Sequence, residues 1–273
     1  SNANTWWVID GENDGFVSSS QANADADIGD LVAGFIDITA LVGNNSNDIF
    51  IVEDAGSIAG ASGGGDIGVD TLSYQNAVGP ISIQLSAGAG VTGFSDIESY
   101  RGNNTNSTIG IASSVEGSAT WNITQQNDGN VLFTGLSESI QFENFNNVSG
   151  GANTDDAFNL STTTASITST LSGGAGGTDS ITSFTSGAHF VVSDSERYVQ
   201  ISSADGTRII QSFTGIEALN GNTGNDTFAL VSTFSGAIDG GSGGVNQLDL
   251  TDSANVNWQI TNADSGSVEG MTF

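Results

Sequence analysis

The apolar positions of this chain fall in short alternations that never lengthen into a helical period, and the alternations recur. Four segments share one frame: a Phe, apolar residues three and six positions later, and a Gly at the eighth. They are Phe35-Ile38-Leu41-Gly43, Phe94-Ile97-Tyr100-Gly102, Phe142-Phe145-Val148-Gly150 and Phe213-Ile216-Leu219-Gly221, and Phe273 opens a fifth copy. A second frame runs Trp7-x-Ile9…Gly15-x-Val17, Trp121-x-Ile123…Gly129-x-Val131 and Trp258-x-Ile260…Gly266-x-Val268, with Phe190-x-Val192 as a decayed fourth copy. Each glycine of this frame follows an acidic or amide pair, Asn13-Asp14, Asn127-Asp128 and, with Ser in second place, Asp264-Ser265. A repeat of about 60 residues with variable insertions implies supersecondary units that bury their apolar faces against their neighbours.

The strands this pattern predicts are three to five residues long, as in Thr227-Phe228-Ala229-Leu230 or Gln247-Leu248-Asp249-Leu250, with Gly, Asn, Asp or Ser in each gap. Strands so short are expected to stack in parallel rather than stand as hairpins, about three coils of ~20 residues to a unit. The fold class read from the pattern is all-β: a right-handed parallel β-solenoid (β-helix or β-roll) of four repeats of about 60 residues. Repeats begin near residues 35, 94, 142 and 213, with partial copies at both ends of a single repetitive domain spanning residues 4–273. Ser1-Asn2-Ala3 reads as the remnant of a removed expression tag, and the rest as a piece of a longer protein. Trp7, Trp121 and Trp258 alternate with Ile at the second position on, which places each pair on one strand face as core. Trp6 falls on the opposite face and is the exposed candidate for stacking on sugar.

Composition narrows the partners. The 273 residues hold 38 glycines, one proline, no cysteine, and 31 acidic against three basic residues (Arg101, Arg197 and Arg208), a formal charge of −28. Such a surface repels nucleic acid and anionic membranes and attracts cations. Without cysteine there are no disulfides, thiolate zinc sites or thiol nucleophiles. No apolar run reaches the ~20 residues that span a bilayer, so direct membrane insertion is not expected.

Two glycine-aspartate signatures follow the Phe frame. One reads Gly43-Asn-Asn-Ser-Asn47-Asp48-Ile-Phe50, Gly102-Asn-Asn-Thr-Asn106-Ser107-Thr-Ile109, Gly150-Gly-Ala-Asn-Thr-Asp155-Asp156-Ala-Phe158 and Gly221-Asn-Thr-Gly224-Asn225-Asp226-Thr-Phe228. The other reads Gly63-Gly-Gly-Asp66-Ile-Gly68-Val-Asp70-Thr-Leu72, Gly173-Gly-Ala-Gly176-Gly-Thr-Asp179-Ser-Ile181 and Gly240-Gly-Ser-Gly243-Gly-Val-Asn246-Gln-Leu248. These segments resemble the repeats of RTX (repeats-in-toxin) proteins and, more closely, the repeats of very large secreted bacterial surface proteins and adhesins. The resemblance covers essentially the whole chain after the tag and is fullest over residues 213–273. It implies an extracellular or cell-surface β-solenoid segment whose partners are neighbouring repeats of the same long chain, with extracellular glycans or surfaces beyond them.

Calcium takes six to eight oxygen ligands, which glycine turns and aspartates can supply. Asp48, Asp70, Asp155, Asp156 and Asp226 are the candidate calcium ligands. The tandem of an RTX roll is interrupted here, and Ser107 and Asn246 stand where aspartates are expected. The other reading of these turns is that glycine makes the bend and Asp or Asn caps local backbone N–H groups. Both readings stay open on sequence.

For function, the sequence points to a structural or adhesive repeat segment and not to an enzyme. The alternative is a carbohydrate-binding or polysaccharide-degrading β-helix module. Lyases of that fold class use Lys or Arg bases, whereas this chain has no lysine and its arginines lie in different units. His189 stands alone beside Phe190-Val191-Val192 and reads as a strand-end residue. If a partner binds, the insertion from Ser193 to Arg208, with two of the three arginines, is the first place to look.

Overall fold

The computed structural model describes residues 4–19, 31–54, 56–65, 67–86, 93–115, 117–184, 186–202 and 204–250, and the backbone of three strands between 258 and 272. It is all-β, with no helix among the described residues. In chain order the strands are β1 Thr5–Gly11, β2 Asp14–Ser18, β3 Leu31–Phe35, β4 Ala40–Val42, β5 Asp48–Val52, β6 Gly60–Ser62, β7 Thr71–Ser73, β8 Ser82–Leu85 and β9 Phe94–Ser95. There follow β10 Ser99–Arg101, β11 Thr108–Ile111, β12 Ala119–Gln125, β13 Asp128–Phe133, β14 Ile140–Glu143, β15 Asn147–Ser149, β16 Ala157–Leu160, β17 Ile167–Ser172, β18 Ser180–Thr182 and β19 His189–Val192. The remainder are β20 Arg197–Gln200, β21 Arg208–Thr214, β22 Ala218–Asn220, β23 Thr227–Leu230, β24 Ala237–Asp239, β25 Gln247–Asp249, β26 Trp258–Asn262, β27 Ser265–Val268 and β28 Met271–Thr272.

The chain divides into two compact units, one of Ser1–Val115 with Gly135–Asn146, the other of Glu116–Thr134 with Asn147–Phe273. In the first, β1, β5, β7, β10 and β14 pair in parallel and place Trp7, Phe50, Leu72, Tyr100 and Phe142 opposite one another. Phe50, Leu72 and Tyr100 are fully buried. Two further parallel ladders, β4-β6-β9 and β8-β11, complete that unit. In the second unit β12, β16, β18, β22 and β24 do the same with Trp121, Phe158, Ile181, Leu219 and Ile238. A second sheet there aligns Val148, Leu171 and Phe213 in β15, β17 and β21, and Phe190, Phe228 and Leu248 in β19, β23 and β25. In strands such as β12, β13, β16 and β23 buried and partly exposed residues alternate, so the interior is written at every second position there.

Each Phe frame is a strand, a corner and a second strand. The residue two after the Phe has positive φ in every copy: Asp37 (55°), Asp96 (53°), Asn144 (61°) and Gly215 (58°). Asn, Asp and Gly tolerate this left-handed conformation best, so they occupy the corner. After the corner the chain turns inward, burying Ile97, Phe145 and Ile216. The first copy departs from this, because Ile38 is 41% exposed.

The Trp frames correct the expectation that strands here do not form hairpins. β1 pairs antiparallel with β2, β12 with β13, and β26 with β27, setting Trp7, Trp121 and Trp258 opposite Val17, Val131 and Val268. Asn13 (φ 55°) and Asn127 (φ 62°) form the first two turns. The decayed copy is also a hairpin, with Phe190 of β19 opposite Val199 of β20. Trp6 is not the freely exposed ring expected of it. It packs, half-buried, on the buried apolar cluster of Val8, Phe16 and Ile51.

Candidate functional site: stacked acidic turns

Several turns ahead of inner strands carry a side chain that holds the backbone of the strand start beside it. The Asp48 N–H donates to Asp70 Oδ1 at 2.7 Å, and the Asp70 N–H donates to Glu98 Oε2 at 2.8 Å. In the second unit the Ala119 N–H donates to Asp156 Oδ1 (2.8 Å), that of Asp156 to Asp179 Oδ1 (2.7 Å), and that of Asp179 to Glu217 Oε2 (3.0 Å). A parallel series there runs from the Ala188 N–H to Asp226 Oδ1 (2.8 Å) and from the Asp226 N–H to Asn246 Oδ1 (2.9 Å). The residue before each Asp makes an outer rung: Asn47, Asp155 and Asn225 accept the N–H groups of Val69, Thr178 and Val245 at 3.0, 2.7 and 2.7 Å. A short strand leaves its first N–H without a ladder partner, and a buried N–H must find one.

Two turn classes alternate. In the first, the carboxylate also closes its own turn, because Asp48, Asp156 and Asp226 Oδ2 accept the N–H of Asn44, Gly151 and Asn222 at 2.7, 2.8 and 3.3 Å. Thr154 Oγ1 adds a bond to Asp156, and Ser183 Oγ one to Asp226. In the second class the residue after the leading glycine is a glycine with positive φ: Gly64 (89°), Gly174 (115°) and Gly241 (82°). That conformation turns its N–H away; Gly174 donates to Ser172 Oγ and Gly241 to Asp239 Oδ1. The acceptors of this class, Asp70 and Asp179, are buried at 1% exposure. Burial first, and then neighbouring carboxylates, raise the Asp70 carboxyl to about 6 and that of Asp179 to about 7, against the hydrogen bond each receives. The neighbours are Glu98, Asp48 and Asp96 for Asp70, and Asp156, Glu217 and Asp155 for Asp179.

Of the five candidate ligands, Asp48, Asp70, Asp156 and Asp226 are buried within these turns, while Asp155 lies outside on the exposed rung. Among the described residues no group of three or more Asp, Glu or His converges as a metal cage. Sequence reading missed Asp179, Glu98 and Glu217 as members of the system. The signal was present: Glu98 and Glu217 stand four residues after the Phe of their frames, and Asn146, in the same place, accepts the Ser107 N–H at 3.3 Å.

Aromatic rings stack behind the turns. Trp7 and Phe50 lie 5.9 Å apart at 16°, Trp121 and Phe158 6.1 Å at 13°, and Phe190 and Phe228 4.9 Å at 6°. The insertion singled out as a binding region, Ser193 to Arg208, carries β20, which pairs antiparallel with β19 before it and β21 after it in the second sheet. Arg208 there sits 3.7 Å over the Tyr198 ring and bonds Glu196 at 2.9 Å. His189 begins β19, and burial lowers its pKa against the pull of Asp249. Arg101, in the other unit, bonds Glu143 at 2.8 Å and Gln75 at 3.0 Å. No helix of the described residues is long and apolar enough to cross a membrane. No family model, curated protein or solved structure matches this chain.

Proposed function

We propose that this chain is a rod-forming structural segment, a right-handed β-solenoid of a large extracellular or cell-surface bacterial protein, which extends or presents other domains. The observation that carries the reading is the repeated coupling of a turn side chain, in most cases a buried Asp, to the backbone N–H of the neighbouring strand start. It is a device for stacking, and it recurs along the chain instead of being concentrated in one place as a catalytic constellation would be. Glycans or surfaces, and the neighbouring repeats, are the partners of such a segment.

In this reading the turns serve as staples and calcium is not required. Asp48, Asp156 and Asp226 direct both carboxylate oxygens at N–H groups or side-chain donors, where a calcium ligand would direct them at the ion. Small-angle X-ray scattering tests the rod. A cross-section that stays constant along an elongated particle is the expected result, and an isotropic, globular profile would overturn it.

A further inference from the structure

On the outer face of the second unit one column of side chains runs in register through six strands. It comprises Asn130 of β13, Asn122 of β12, Asn159 of β16, Thr182 of β18, Asn220 of β22 and Asp239 of β24. Asn122 Nδ2 donates to Asn130 Oδ1 at 3.0 Å, Asn159 Nδ2 to Asn122 Oδ1 at 3.2 Å, and Asn220 Nδ2 to Thr182 Oγ1 at 3.5 Å. The column beside it holds the short side chains of Thr120, Ala157, Ser180 and Ala218, also in register. Asp239 is exposed and the others are partly exposed. Although the chain carries a formal charge of −28, β12, β16, β18 and β22 contain no charged residue.

The repeat does not demand amides at this position. In the first unit the residues that follow Trp7, Phe50, Leu72, Tyr100 and Phe142 are Val8, Ile51, Ser73, Arg101 and Glu143, likewise in register. The first unit closes that column with its own side chains: Val8 and Ile51 are buried with Phe16, and Arg101 bonds Glu143 at 2.8 Å. In the second unit the column is polar, uncharged over four strands and open to solvent. A side-chain amide carries two N–H donors and two acceptor lone pairs, and the ladder bonds use one donor each of Asn122, Asn159 and Asn220. Spare donors and acceptors therefore recur at the strand spacing of about 4.8 Å. They suit a ligand that both donates and accepts along its length, and the short neighbouring side chains let it lie close. Without charge on these strands, selection by ion pairing is excluded. We propose that the outer face of β12, β16, β18 and β22 binds an uncharged polysaccharide, whose hydroxyls pair with the amide column. The proposal rests on the extracellular-rod reading for its setting and names the surface by which such a segment meets glycans.

The test is affinity electrophoresis of the full chain in native gels that contain a soluble β-glucan, a mannan or dextran, in EDTA, with alginate as the anionic control. Retardation by at least one neutral polysaccharide and none by alginate is expected. Asn122→Val combined with Asn159→Val should weaken binding about tenfold or more. The melting curve should change little, because the first unit places Val8 and Ile51 at the same positions. Asn159→Asp, of the same size, should weaken binding in the same direction, and Thr170→Val, in β17 of the other sheet, should leave it unchanged. No retardation by any of the three neutral polysaccharides, or equal retardation of the wild type and the double variant, would overturn the proposal. Scattering on the same sample separates it from the rod reading. A rod that binds none of them overturns the proposal alone, and a globular particle that binds overturns the rod alone.

Discussion

The turns at Gly173–Asp179 and Gly240–Asn246 perform one task with different chemistry. In both, an Oδ1 atom accepts the N–H of an Asp one turn back, Asp156 at 2.7 Å and Asp226 at 2.9 Å. In both, the second glycine has positive φ, so its N–H leaves the turn. They differ at the second terminal atom. Asn246 Nδ2 donates to the Gly240 and Gly243 carbonyls at 2.6 and 3.2 Å. Asp179 has an oxygen there, and its carboxyl is raised to about 7 by burial and by neighbouring acids. The amide does without cost what the acid does best when protonated. What the two positions share is the acceptor on one atom; the other is a donor in Asn246 and, in Asp179, an oxygen whose charge burial disfavours.

The largest expected effect comes from removing an acceptor of the other turn class. Asp156→Ala strands the Ala119 and Gly151 N–H groups in the interior and should cost about 3–4 kcal/mol in chemical denaturation, with Asp226→Ala close behind. Its neighbour Asp155, on the exposed rung, should cost less than about 1 kcal/mol as Asp155→Ala, which makes the pair an internal control. Next come Asp179→Ala and Asn246→Ala, which orphan the Asp156 and Asp226 N–H groups respectively. Each should lose about 1–2 kcal/mol, and equal losses would confirm that the two turns do the same work.

Exchanging the two side chains sharpens the contrast. At about pH 8, Asp179→Asn should stabilise by on the order of 1 kcal/mol after allowance for solvent screening, and Asn246→Asp should destabilise. The sign follows from linkage: a carboxyl raised in the folded state binds its proton more tightly there than in the unfolded chain. Its contribution is complete below pH ~4 and is lost as pH rises through about 6 for Asp70 and about 7 for Asp179. Wild-type melting temperature should therefore rise on acidification from about pH 8 to about pH 5, and Asp179→Asn should flatten that rise. The smallest effect is salt: moderate ionic strength should raise the melting temperature slightly by screening a formal charge of −28.

Much of the fold was legible because its interior is written in registers that repeat. Phe50, Phe158 and Phe228 recur in one signature and are all buried, stacked on Trp7, Trp121 and Phe190. The hairpins were not legible, because an antiparallel pair and a parallel pair show the same two-residue alternation. Direction was encoded in Asn13 and Asn127, whose left-handed turn closes the hairpin. Ile38 was read as core from its frame but is exposed, and in β4, which follows it, Ala40 and Val42 are exposed and only Leu41 is buried. As for the site, four of the five aspartates named as candidate ligands are buried in these turns. Their work was hidden because a carboxylate that meets a cation and one that meets backbone N–H groups use the same residues. Glu98 and Glu217 were passed over because an acid beside a buried Ile reads as the solvent-facing half of a strand.

The most direct test of the staple is the melting temperature of Asp179→Asn and Asn246→Asp at about pH 8, in millimolar calcium and in EDTA at fixed ionic strength. Asp179→Asn melting above wild type and Asn246→Asp below it, with calcium changing neither difference, is the predicted result. A fall for Asp179→Asn that appears only in calcium would contradict the account and make these turns ion sites.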